Sequence, residues 1–488
     1  MKIFPALLLA AGLALPAFAL DSAALSAVAA KFTNPSGEAQ YAARIELNGL
    51  IDKATAPETG DSAAVSKLIV LAIQSNDTPL EAKKYLLRAL GRIGDGEAVA
   101  ALIPLLSDAN ALLKEEARTA LESINDPKAA AALEAALAKT QDKRELIALA
   151  NSLASQKSPS SVSALAPLVI NKDPAIAKAA LQAIAKIGGA PATETLLKAH
   201  ASSMVSPALK PDIEMSVLLA TPEDAKSTMQ IYQISNSETV KSAAFLTLMK
   251  TAPADAKPAI IEGALKSPDH TLRHEAIAAG IRAALPSLTA SLSQNISQMP
   301  LEDRLIVLAN IHTLKPTDAA EKIALSQIAS ADETERIAAI SALGQIPTKA
   351  SFAALLQAVG AREPWANQAA SAAIATVKFP DAEATLLTML KGASSPDKIL
   401  ALKAIVTRPL PESGMVLISI ITGSDEAAAK EAMKSFYFTA SLDDLRALCA
   451  EATSTADADK KKSLSSIATR IATRINTEEA AALAKSLQ

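Results

Sequence analysis

The segment TPLEAKKYLLRALGRIGDGEAVAALIPLLSD (residues 78–108) reads as two helices joined by a tight turn. Thr78 is placed to act as an N-cap, Pro79 suits the first helical position, and Glu81 stands where a capping-box acid belongs. Leu86, Leu87, Leu90 and Ile93 recur at helical spacing and mark one apolar face. Gly94, Asp95 and Gly96 supply the turn; Gly91 is grouped with them, because GRIGDG follows a helix and does not fit GxGxxG. A second apolar run follows, with Val99, Leu102, Ile103, Leu105 and Leu106. Two short helices cannot bury both apolar faces alone, so the pair needs a neighbour of its own kind.

Such neighbours recur along the chain: ALGRIGD (residues 89–95), ALESIND (120–126), AIAKIGG (183–189) and ALGQIPT (342–348). Ile124 follows Ile93 by 31 residues, and Ile187 follows Ile124 by 63, or two such steps. Ile346 lies 159 residues beyond Ile187, five steps of about 32, and Val377 follows Ile346 by 31. A period held this far predicts an all-α superhelix, an α-solenoid of roughly a dozen helix pairs. Asp126-Pro127, Asp173-Pro174, Thr221-Pro222, Pro268-Asp269, Asp332, Pro364, Pro396-Asp397 and Ser424-Asp425 each precede an apolar helical run and read as helix starts. Upstream, residues 20–77 are helical but out of register and suit a terminal cap. Tyr41, Ile45, Leu47 and Leu50 mark the apolar face of one helix there, and residues 63–73 form a second. The expected organisation is therefore 1–19, 20–77 and a repeat array over 78–488.

Composition agrees with that reading. Half of the 488 residues are hydrophobic, yet aromatics make up 3% and glycines number 16. Alanine dominates and is the best intrinsic helix former, whereas β-rich domains need alternating runs of β-branched and aromatic residues. Residues 1–19 predict a signal peptide: Lys2, an apolar stretch over 6–15, Pro16, and Ala17-Phe18-Ala19 as the cleavage site after Ala19. That stretch is short for a membrane anchor, so a soluble periplasmic or secreted bacterial protein, without membrane insertion, is expected. The formal charge of −3, or −4 without Lys2, is too near neutral to require nucleic acid as a partner. Cys449, the only cysteine, excludes an intrachain disulfide and follows Leu445 and Leu448 as a buried, inert thiol.

Several helix starts share the pattern D-x-x-apolar-[basic or small]-x-x-A. It falls on Asp269, Leu272, Arg273 and Ala276, on Asp397, Leu400, Ala401 and Ala404, and on Asp173, Ile176, Ala177 and Ala180. These residues resemble the HEAT repeat, including the shorter HEAT-like form of phycobilin lyases. Asp332, Arg336 and Ala339 match less completely, because Glu335 stands at the apolar position. The basic residue is missing at Ala177, Ala401 and Ala429, so the resemblance implies that a ladder of Asp–Arg contacts between repeats is broken there. Residues 115–197 also look like exported HEAT-repeat regions of planctomycete and verrucomicrobial type. The resemblance speaks to architecture and leaves function open.

Candidate chemistry is sparse. His270 and His274 lie four apart with Asp269 and Glu275 beside them, a spacing that can place two imidazoles on one metal. The acid is not in the HExxH position and Asp269 is already a cap, so two solvated histidines, no metal and no cofactor are expected. His200 and His312 are isolated in sequence, and Ser395-Pro396-Asp397-Lys398 reads as a helix start despite its SxxK spacing. The pairs Glu115–Glu116 and Asp443–Asp444 read as solvated charge. Lys460, Lys461, Lys462, Arg470 and Arg474 read as a solvated basic last repeat, with an anionic partner as the alternative. Trp365, the only tryptophan, follows Arg362 at a turn or helix start, either plugging a seam between repeats or standing as an exposed anchor.

The expectation is an exported, monomeric, non-catalytic scaffold that holds another protein or peptide along a concave surface. Arg362, Trp365, His270, Arg273 and His274 are its candidate partner-binding residues. Two alternatives stand beside it: a HEAT-like lyase or cofactor-handling protein, by the family resemblance, and an accessory carbohydrate-binding protein acting through Trp365.

Overall fold

The computed structural model describes residues 20–57, 60–411 and 413–487. The expected signal peptide and its cleavage point after Ala19 lie outside the described residues. Among the described residues there are 29 α-helices, six short 3-10 helices and no strand. From Leu80 onward, 26 of the α-helices follow one another as thirteen pairs, so the fold is an all-α, HEAT-like solenoid. The chain divides into two compact units, the first ending at Ala252 and the second beginning at Pro253.

Within each unit the helices form two rows. The first helix of each pair, such as Leu80–Ile93, Ala111–Ser123 and Lys143–Gln156 in unit one, packs directly on the first helix of the next pair. The returning helices, such as Pro127–Leu137, touch their counterparts more sparsely. In unit two the sequence His270–Arg282, Leu301–Asn310, Glu333–Gly344 and Pro364–Thr376 repeats the arrangement. One step departs from it. Looking back along the row, Ser395–Ile405 packs on the returning helix Lys349–Gly360 and hardly on Pro364–Thr376, though it packs on the next first helix, Glu426–Thr439, as usual.

Helix starts follow local chemistry. Asp95, Asn110, Asp126, Asp142, Asp173, Asp269, Asp332 and Asp425 each accept a backbone N–H of the helix that follows, satisfying donors that have no intrahelical partner. Three expected starts are corrected. Helix Leu80–Ile93 has Pro79 in the cap position with no side-chain bond, and Glu81 instead pairs with Lys84 at 2.6 Å. Thr221 ends the preceding helix, while Asp224 caps Ala225–Ile234. Ser394, not Asp397, caps Ser395–Ile405, and Asp397 supplies the N–H it accepts.

Leu86, Leu87 and Leu90 are fully buried, and unit one has a continuous apolar core from Leu20 to Ala244. In helix Gly37–Ala54 the core face is Ala43, Leu47, Ile51 and Ala54. Tyr41 and Ile45, expected on that face, are 58% and 53% exposed; each lies two residues, about 200° of helix rotation, from the buried Ala43 and Leu47. Gly91 is not a turn glycine. It sits inside its helix, where an added Cβ would lie 3.2 Å from Ala120 Cα. Gly344 occupies the same place in its repeat, and its Cβ would meet Ala373 Cβ at 2.7 Å. The ALG signature thus marks a close approach between consecutive first helices.

No single described helix is long and apolar enough to cross a membrane; the segments His270–Arg282 and Pro286–Gln298 pass that test only together, bent by 108° at the break.

Candidate interaction surface

In unit two, one side-chain position recurs along the row of first helices. Arg273, Arg304 and Arg336 lie 31 and 32 residues apart, each in the first or second turn of its helix. Every one folds Nη1 back onto loop carbonyls that precede its own helix: Ser267 and Pro268 for Arg273, Met299 for Arg304, Ser330 and Ala331 for Arg336. The rest of the guanidinium reaches forward to the next repeat. Arg273 Nε and Nη2 donate to Asp303 at 3.0 and 3.2 Å. Arg304 Nε and Nη2 donate to Glu335 at 2.7 and 3.0 Å. Both acids are buried, their side chains 4% and 1% exposed, and each paired guanidinium is held further above its usual range chiefly by that hydrogen bond. Glu335 accepts a further bond from Ser330 Oγ at 2.5 Å. A buried carboxylate is tolerated here because a bidentate cation and a hydroxyl satisfy it.

This rung differs from the one implied by the HEAT resemblance. The capping aspartates Asp269 and Asp332 hold their own helix N-termini. The acid that meets Arg is the residue three positions after the cap, so Glu335 at the nominally apolar position is the rung itself. At Ala177 the missing basic residue is replaced one position on by Lys178, which pairs with Asp212 at 3.1 Å.

The third rung ends differently. Ala366 stands where Asp303 and Glu335 stand, and the Arg336 guanidinium lies over the Trp365 ring, 4.7 Å from its centroid. Asn367 follows at the Arg position and keeps only the backward tie, donating Nδ2 to Val359 O at 2.5 Å. Beside Trp365, helices Glu333–Gly344 and Pro364–Thr376 enclose an open groove lined by Ile337, Ser341, Gly344, Ala369, Ala372 and Ala373. Trp365 is half-buried, so it both covers the seam and faces the groove. Arg362 is exposed on the preceding loop and does not stack on Trp365; Arg336 does.

The expected pair of solvated histidines is corrected in part. His270 is exposed and stacks on His274, with ring centroids 5.7 Å apart. His274 is half-buried against the rung, its Nε2 3.0 Å from Asp303 Oδ1 but off the hydrogen-bonding direction. Two cationic side chains thus converge on Asp303 when His274 is protonated. Among the described residues no three His, Cys, Asp or Glu side chains group as metal ligands would.

Unit one has a single rung in the same register. Lys114 Nζ donates to Glu145 Oε1 at 2.9 Å, and Thr140 Oγ1 donates to Oε2 at 2.6 Å, with both ionic side chains more than a third exposed. These two bonds hold the Glu145 carboxyl below its ordinary range, the hydroxyl first and the ammonium second. Glu116, expected to be solvated, is instead buried and accepts from Arg88 Nε at 2.8 Å as well as from Nη2. Arg88, Lys84 and Arg44 all lie over the Tyr85 ring, 5.4, 5.1 and 6.0 Å from its centroid. His200, isolated in sequence, donates or accepts at Glu214 Oε1 at 2.7 Å, while Ser235 Oγ donates to Oε2 at 2.7 Å. In the last repeat, Arg470 lies over Tyr437 and Arg474 donates to the Ala440 carbonyl, whereas Lys461 and Lys462 are exposed.

Sequence reasoning missed Arg304, Asp303 and Glu335. The Leu301–Asn310 helix lacks an Asp cap, which hid its repeat; the signal that finds it is an acid–Arg dipeptide recurring as Asp303-Arg304 and Glu335-Arg336, 32 residues apart.

Two family models match the sequence: HEAT repeats over residues 65–154 and the PBS lyase HEAT-like repeat over residues 335–360. Those segments contain HEAT repeats, and the helix pairs around them continue the same design. No curated protein matches the sequence. Among solved structures, the crystal structure of Kap121p is similar at 13% identity and a TM-score of 0.49, over 96% of this chain and 65% of that one. Human deoxyhypusine hydroxylase in complex with glycerol is 18% identical with a TM-score of 0.24, over 65% of this chain and 97% of that one. The complex of CpcE and CpcF of phycocyanin lyase from Nostoc is 19% identical with a TM-score of 0.26, over 54% of this chain and 97% of that one.

Proposed function

We propose that this protein is a non-catalytic scaffold that binds another protein, or a peptide segment of one, along its row of first helices. A single observation supports the reading most: one side-chain position recurs along that row at a spacing of 31–32 residues, as Arg273, Arg304 and Arg336. Over most of each unit the first helices pack more closely on one another than the returning helices do, which supports taking their row as the inner, concave side. An extended ligand lying there crosses the same helix face once per repeat, which suits recognition by many modest contacts.

Site-specific photo-crosslinking in the native host tests this. A crosslinker replacing exposed Gln368 on the first-helix row is expected to trap a discrete partner, whereas one replacing exposed Ala100 on the returning row is not. Equal trapping from both rows, or none from Gln368, would overturn the proposal. Export is part of the same reading, resting on the sequence of residues 1–19 alone; N-terminal sequencing of the mature chain is expected to begin at Leu20, and a retained Met1 would refute it.

A further inference from the structure

We infer that Arg336 and Trp365 form a seat for one carboxylate side chain of an extended partner segment, whose adjoining small apolar residues lie in the groove beside Trp365. The inference rests on the scaffold reading and adds a site and a ligand chemistry to it.

The ladder of unit two is interrupted at its third rung. At two consecutive rungs an Arg guanidinium uses Nη1 to bind its own loop and offers Nε and Nη2, as a fork, to a carboxylate of the next repeat. Arg336 keeps the first half of this arrangement, with Nη1 bound to the Ser330 and Ala331 carbonyls. The second half has no occupant among the described residues: Ala366 replaces the acid, and the hydrogen bonds of Arg336 are both made by Nη1. The guanidinium is therefore already oriented, and the entropy of fixing it is already spent in folding. The Trp365 ring lies against the group, and neither Nε nor Nη2 is sealed from solvent. The groove floor favours a narrow ligand. Gly344 and Ala373 bring the two helices close together and make its floor of small residues, and Ala372 is exposed along its rim. Charges around the seat are mixed: Asp332 is engaged as a helix cap, Glu333 and Glu363 are exposed, and Arg362 is a second exposed cation. Glu333 and Glu363 oppose a strongly acidic ligand, so the chemistry that fits is one carboxylate among neutral residues.

Trp365 is the only tryptophan, so its emission reports this site alone. A random heptapeptide phage library panned on the full chain is expected to enrich peptides with Asp or Glu at one fixed position, flanked by small residues. A synthetic peptide of the enriched sequence should change Trp365 emission on titration. Its acid-to-amide counterpart should bind at least about tenfold more weakly, and so should the parent peptide to Arg336→Gln. Anisotropy of a labelled peptide provides the same measurement for Trp365→Phe, which retains a ring for the guanidinium. Arg362→Gln is expected to leave affinity within about twofold, as an exposed cation outside the fork. A urea transition measured for each variant separates loss of binding from loss of fold. Enrichment without acids, no enrichment at all, or unchanged affinity in a folded Arg336→Gln protein would each overturn the seat. If Gln368 crosslinks survive in Arg336→Gln, the seat fails and the scaffold reading stands; if they never form, the scaffold reading fails first.

Discussion

The two units solve one structural problem with different cations. In unit one, Lys114 meets Glu145 with both side chains more than a third exposed, and Thr140 assists. In unit two, Arg304 meets Glu335 at the same repeat position with the acid 1% exposed, and Ser330 assists. An ammonium is a compact point charge that makes one strong contact here and leaves the rest to water. A guanidinium forks, so Arg304 satisfies both oxygens of Glu335 while its third edge ties down the Met299 carbonyl. Burial of the acid and the choice of Arg belong together: a carboxylate withdrawn from water needs every lone-pair direction answered.

The comparison breaks most readily at Glu335. Replacing it with Ala strands Arg304 beside a buried hole and is expected to lower stability by about 3–5 kcal/mol, whereas Glu145→Ala should cost about 0–1 kcal/mol. Because Trp365 lies in unit two, fluorescence-detected urea unfolding follows that unit, while circular dichroism follows both. A circular-dichroism transition that shifts as much for Glu145→Ala as for Glu335→Ala would refute the distinction. A smaller effect, about 1–3 kcal/mol, is expected for Arg304→Lys, which keeps the charge but loses the fork. Lys114→Arg, by contrast, should leave stability nearly unchanged, and the same two unfolding signals compare the pair.

Acid sharpens the contrast further. Thr140 and Lys114 hold the Glu145 carboxyl below its ordinary value of 4.5, so the folded state binds that proton less readily than the unfolded chain. Its contribution is therefore complete above that value and is lost as pH falls through the lower folded value. The stability gap between wild type and Glu145→Gln, followed by circular dichroism, should be present at neutral pH and shrink as the pH falls below 4.5. A gap that persists in acid would mean the pair acts through packing and not charge. The smallest effect concerns Cys449 in unit two, whose thiol is buried, pushed above its ordinary range by that burial, and 3.7 Å from the Leu483 carbonyl. A thiol reagent should modify it at least about a hundredfold more slowly in the native protein than in urea.

Much of this fold was legible because the signals are local. Asp126, Asp173, Asp269, Asp332 and Asp425 cap the helices their positions suggest, and Ile124, Ile346 and Val377 are buried at the shared point of the period. Reading failed where a residue's role depends on another repeat. Gly91 looked like part of a turn, yet its place is set by Ala120 in the next first helix. Glu116 and Glu335 looked solvated or out of pattern, and each is buried against an Arg 28 or 31 residues earlier. Trp365 was paired by proximity with Arg362, while its actual cation, Arg336, is 29 residues away.

What the sequence determined alone is the helical state, the 31-residue period and most helix starts, since each depends on bonds and apolar spacing within a few turns. What only the tertiary structure decided is which side chains face each other across repeats: Arg273 on Asp303, Arg304 on Glu335, and Arg336 on Trp365. A repeat period specifies that neighbours exist, but a one-residue rotation of a helix turns each side chain by about 100°. The packing of Gly344 against Ala373 and its equivalents fixes that rotation, and with it the one rung that ends without an acid.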